Sequence, residues 1–130
     1  MEKINYKDTA LLLLRLFVVI IFLYHGIPKL LNISGTVGFF SSLGIPGFVG
    51  PIVGAVEVIA GILLLLGLWS KWANYALALV IAGAIILVQI PSAIKVGQLT
   101  ASFERDFLIL LATLVLAAHG PGHLSIHKHR

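Results

Sequence analysis

Three long apolar stretches, at about 9–29, 48–68 and 72–90, take up most of this 130-residue chain. A bilayer's hydrocarbon core is about 30 Å thick and takes around 20 mostly apolar residues per helical crossing. Each stretch has that length. In lipid every backbone N–H and C=O must be bonded within the protein, so segments of this kind cross as helices. A mean hydropathy of +1.07 and a 59% hydrophobic content, against roughly half in soluble domains, make lipid the surrounding solvent.

A fourth segment is less obvious. From Phe107 to Ala118 the chain is uncharged, but that run is too short for a crossing at a rise of about 1.5 Å per residue. A helix over 101–119 has the required length, and it draws Glu104, Arg105 and Asp106 into the outer part of the membrane. The expected fold is an all-α membrane protein, a single transmembrane domain over 1–130. Four helices form its bundle, with a short interfacial segment carrying Phe39, Phe40, Leu43 and Ile45 between the first two.

Punctuation supports these limits. Gly26 and Pro28 disturb the first span, Pro46, Gly47 and Pro51 restart the chain before the second, and Pro91 closes the third. Trp69, Lys71 and Trp72 mark an interface between the second and third spans. A cleavable signal peptide is not expected, because the first run is long, contains Arg15 and leads into no small-residue cleavage pattern. Lys3, Lys7, Lys71, Lys128 and Arg130 fall on one side, against Lys29, Lys95 and Arg105 on the other, which predicts cytoplasmic N- and C-termini. Glycines 50, 54, 61 and 67 suit close helix contacts in lipid.

The charge pattern and the missing residue types narrow the function. The net charge of +4 sits mostly at helix ends and suits lipid head groups, with no nucleic-acid signature. The absence of cysteine removes disulfides, thiolate metal sites and thiol relays. Four histidines near the C-terminus, His119, His123, His127 and His129, do not make a metal site, since Gly120, Pro121 and Gly122 break the helix on which a pair would converge.

Ionisable residues inside a membrane are costly, and they normally face the bundle interior with a partner. Arg15, His25 and Lys29 share one face of the first helix at about 100° per residue. By depth, Glu57 falls near the midplane and Arg15 in the inner half, while His25, Gln89, Glu104, Arg105 and Asp106 fall in an outer polar layer with Lys29 at its boundary. Glu104 and Asp106 point in nearly opposite directions, and Glu104 is the expected inward carboxylate, pairing with His25 or Lys29. Glu57 is expected to pair with Arg15 or with the outer cations, and Gln89 to hydrogen-bond between helices. The plainer alternative is a set of structural ion pairs, with Lys29 and Arg105 snorkelling to head groups.

Arg15, the run Phe22-Leu23-Tyr24-His25-Gly26-Ile27-Pro28-Lys29, the run Phe40-Ser41-Ser42-Leu43-Gly44-Ile45-Pro46, the run from Gly54 to Gly61 around Glu57, Gly67, and Glu104 ahead of Gly120-Pro121-Gly122-His123-Leu124-Ser125 together resemble the DoxX family. The resemblance implies a small four-helix membrane protein of a bacterial or archaeal cytoplasmic (inner) membrane and a quinone-linked oxidoreductase subunit. One departure is His127, where relatives commonly carry an acidic residue after the Ser-apolar pair. On this resemblance the expected function is a membrane-embedded redox subunit binding quinone or quinol in the outer polar layer. Arg15, His25, Lys29 and Gln89 are then the binding residues, and Glu57 and Glu104 the catalytic carboxylates. No covalent cofactor and no metal is expected. Without cysteine pairs or paired intrahelical histidines for haem, electrons need a soluble or membrane redox partner. Two other readings are a small proton-coupled transporter using Glu57, for which a homodimer is expected, and an assembly subunit without catalysis.

Overall fold

The structure, a computed structural model, describes residues 5–122, and the regular elements among them are all helices. Helix α1 spans Tyr6–Leu31, α2 Ile33–Ser42, α3 Val49–Leu66, α4 Ser70–Val96 and α5 Ala101–His119. Among the described residues α1, α3 and α4 are long and apolar enough to cross a membrane. Helix α5 has the bounds expected of the fourth span, but Glu104, Arg105 and Asp106 near its start separate it from those three.

Local sequence sets the helix ends. The Asn5 side chain accepts hydrogen bonds from the N–H groups of Lys7 and Asp8 and caps α1, satisfying donors that a helix start leaves open. Asn32 ends α1 and its side chain also caps α2 by accepting from the Gly35 N–H. Thr100 caps α5 by accepting from the Phe103 N–H. Gly67, expected at a helix contact, instead ends α3 in the left-handed conformation with φ of 69°, where the absence of a side chain is what counts. The close contacts are made by Gly50 against α2, Gly54 against α1 and Gly61 against Leu23.

Pro91 does not close the third span. Helix α4 widens into a π-helical stretch over Ile85–Gln89, where the Ile90 N–H reaches back to the Ile85 carbonyl, and it continues as α-helix to Val96. A proline clashes with the preceding turn and leaves one carbonyl without a donor. A widened turn just upstream of Pro91 relieves that conflict, so the proline is absorbed where a boundary was expected.

Helix α1 packs chiefly on α3 and α4 chiefly on α5, with α2 laid mainly against α3. Phe22, Leu64, Leu77 and Leu116 fill the centre where the two pairs meet. The outward faces are also apolar, with Leu13, Phe17, Ile20, Tyr24 and Leu79 exposed. A soluble protein would not leave such faces uncovered, whereas contact with lipid requires them.

Candidate functional site

The approach of α1 to α3 is governed by two glycines. A Cβ placed on Gly26 would lie 2.8 Å from the Glu57 Cβ and 3.1 Å from the Gly54 carbonyl oxygen, and one on Gly54 would lie 2.8 Å from the Lys29 Cβ. Only bare backbones fit at that crossing. The closeness lets Lys29 Nζ stand 2.8 Å from Glu57 Oε1 while also donating to the His25 carbonyl oxygen at 3.0 Å. Glu57 is buried, and Lys29 keeps about a quarter of its side chain exposed. Of the partners expected for Glu57, the structure selects Lys29.

The second helix pair supplies the opposite wall. Gln89, the last residue of the π stretch, donates through Nε2 to Asp106 Oδ2 at 2.7 Å, the interhelical hydrogen bond its position called for. The extra residue of a π turn rotates the side chains beyond it, and such turns are common at functional sites. Arg105 Nε meets the other Asp106 oxygen at 3.1 Å.

Glu104 is exposed and Asp106 is buried, which corrects the expectation of an inward Glu104. The reason is helical register. Asp106 belongs to the buried stripe of Ile109, Thr113, Leu116 and Ala117, whereas Glu104 aligns with the exposed Leu108, Leu111 and Val115.

Between the two pairs lies a cavity of about 600 Å³. His25, Lys29, Glu57, Gln89, Arg105 and Asp106 give it a polar end, and its remaining walls are apolar. Phe39, Phe40, Leu43 and Ile45, expected as a surface segment, cover it from the side of α2. Gly83 of α4 also lines it, and a Cβ there would meet open space. Among the described residues the His25 ring makes an edge contact with Tyr24 and no hydrogen bond, so its nitrogens are available to a ligand.

Arg15 is not part of this cavity, although it shares a face with His25 and Lys29. Ten residues along α1 carry it roughly 15 Å away, where it is buried and its Nη1 donates to the Pro121 carbonyl oxygen at 2.9 Å. The structure therefore does not bring it together with His25, Lys29 and Gln89, beside which it was expected. Gly122, with φ of 79°, sits so close to α1 that a Cβ would overlap the Asp8 carbonyl oxygen. Arg15 and this turn fasten the end of α5 to the start of α1. His119 lies exposed at the end of α5, and His123, His127 and His129 fall outside the described residues. No cluster of three or more candidate metal ligands occurs among those described.

Asp106, Arg105 and Gly83 were not selected from the sequence as site residues. For Asp106 the signal was present as its register with Thr113. For Gly83 the sequence offered none, since a glycine facing a void looks like one at a contact.

Comparison with known proteins finds similar membrane proteins. CatD of Bacillus subtilis (strain 168), which bears the provisional name of an oxidoreductase, is 36% identical over 119 residues, covering 92% of this chain and 85% of that protein. The inner membrane protein YphA of Escherichia coli (strain K12) is 34% identical over 129 residues, covering 94% and 91% respectively. The inner membrane protein YqjF of the same organism is 29% identical over 124 residues, covering 94% and 92%. No solved structure matches. The DoxX family profile matches residues 10–90, a range that holds His25, Lys29, Glu57, Gly83 and Gln89, and the chain is a membrane protein of the DoxX family.

Proposed function

We propose that the chain is the membrane subunit of a redox system and that the cavity between its two helix pairs binds the head group of a quinone or quinol. The observation that carries this reading is an apolar cavity of about 600 Å³ that ends in two ion-paired carboxylates, Glu57 and Asp106. Its size is within the roughly 300–1,000 Å³ common for small-molecule sites. Exposed Ile52, Leu79 and Leu87 border it, giving a lipid-soluble molecule a way in from the membrane.

The quinone/quinol couple exchanges two electrons and two protons. Lys29, Arg105 and the His25 imidazole act as donors to the head-group oxygens, and Glu57 and Asp106 each take one proton. Glu57 belongs to one helix pair and Asp106 to the other, so each supplies one carboxylate to the cavity. Lys29 pairs with Glu57 and Arg105 with Asp106, because an uncompensated charge is costly in such surroundings. Electrons pass to a partner protein, since the chain offers no thiol pair.

In this reading α5 is a fourth crossing, whose charged start is tolerated because Asp106 turns inward while Glu104 and Arg105 lie near the outer head groups. Both termini are cytoplasmic, the membrane is the inner membrane, and α2 lies at the outer surface as cover of the site.

The test is purification in mild detergent followed by mass spectrometry of co-purifying lipids. Wild type is expected to retain quinone, and Gly83→Phe, whose side chain starts from a Cβ in open space within the cavity, to lose it. Quinone absent from the wild type, together with pH-dependent solute uptake by the chain alone in liposomes, overturns the redox reading in favour of transport.

A further inference from the structure

A second apolar hollow of about 490 Å³ runs along the outer seam of α3 and α4 below the cavity. Val56 and Ala76 line both spaces, so the hollow continues the cavity. Ala60 and Ala73 form its floor, Ile59 one rim, and Trp69 and Trp72 its far end. From Gln89 to Trp69 the track covers twenty residues of α4, or roughly 30 Å, comparable with the hydrocarbon thickness of a bilayer. It is polar at one end only.

The far end carries two tryptophans. Trp69 holds a left-handed backbone conformation with φ of 45°, unfavourable for a residue with a side chain. Trp72 is fixed by an edge contact with Tyr75 and by Lys71 over its ring at 5.7 Å. An aromatic pair with a cation is also what anchors a helix at the membrane interface, so the track ends where hydrocarbon ends.

We infer that this hollow holds the long apolar tail of the same molecule whose head lies at Glu57 and Asp106, so that the ligand is a long-chain isoprenoid quinone lying along the α3/α4 seam. The inference rests on the quinone reading of the cavity. A head with a short or absent tail leaves the hollow unfilled, and a phospholipid tail gives no reason for continuity with the polar end.

The probe is a benzoquinone with an isoprenoid tail roughly 25 Å long carrying a terminal photoreactive diazirine, incubated with the full chain in lipid nanodiscs. Crosslinked residues are mapped by mass spectrometry. Crosslinks are expected at Ile59, Trp69 and Trp72, and their yield is expected to fall about tenfold in Gly83→Phe and under excess single-isoprene quinone. If the single-isoprene quinone binds but the tail crosslinks to outward residues of α1 such as Phe17 and Tyr24, the tail assignment is overturned and the head-group site stands. A phospholipid carrying the same diazirine that labels the hollow as strongly, with or without quinone, overturns it as well. Binding of neither quinone removes the head-group reading and the tail assignment with it.

Discussion

Breaking the Lys29 and Glu57 pair from each side should have unequal consequences. At 2.8 Å and an effective dielectric near 20, the gross attraction is about 6 kcal/mol, most of it spent on desolvating the two groups. Lys29→Met leaves the Glu57 carboxylate, only 4% exposed, without compensation, which costs about 3–5 kcal/mol. Glu57→Gln leaves an ammonium that is 24% exposed on a flexible stem able to reach head groups. Its cost belongs at the lower end of about 1–3 kcal/mol. The double variant should be more stable than Lys29→Met alone. Sodium dodecyl sulfate titration in mixed micelles, followed by circular dichroism, gives all four stabilities. A Glu57→Gln that costs more than Lys29→Met, or single effects that simply add in the double, would refute the reasoning.

Other expectations come from the same geometry. Asp106→Asn should weaken binding of a short-chain quinone at least about tenfold, while Glu104→Gln leaves it unchanged, as read by equilibrium titration. Gly26→Val should push α1 from α3 at the Glu57 crossing and lower stability by about 1–3 kcal/mol through overpacking, measured by the same detergent titration. Gly83→Ala, whose new methyl meets open space, should instead raise stability by up to about 1 kcal/mol through helix propensity. Arg15→Met should remove a charge-assisted bond to the Pro121 carbonyl, worth about 1.5–3 kcal/mol. Faster limited proteolysis at the C-terminal end, with quinone titration unaffected, is the expected readout.

Much of the architecture was legible because it depends on apolar length and capping. The limits of α3 reflect where an apolar run starts and stops, and those of α5 the length a crossing needs, with Thr100 as its cap. Pro91 misled because a π turn upstream lets the helix run on, and nothing in the composition of Ile85–Gln89 announces that widening. The candidate site was half legible. His25, Lys29 and Glu57 share a cavity because glycines at 26 and 54 bring their helices together, and both glycines stand in the sequence. The choice of Glu104 over Asp106 failed because the two were seen to point apart but neither was matched to the stripe of Ile109, Thr113 and Leu116 that turned out to be buried. Arg15 shows the converse, since a shared face places residues on one side of a helix without placing them at one height.

The central claim is that a quinone head group lies between His25 and Lys29 on one side and Gln89 and Asp106 on the other. Solid-state nuclear magnetic resonance of a carbonyl-¹³C quinone bound to ¹⁵N-labelled protein in lipid measures this directly. Dipolar dephasing is predicted between a quinone carbonyl carbon and the side-chain nitrogen of Lys29 or His25 at about 4 Å, the separation that a hydrogen bond of about 2.7–3.2 Å to the carbonyl oxygen imposes. A tightly bound quinone that shows no dephasing from either residue would contradict the account.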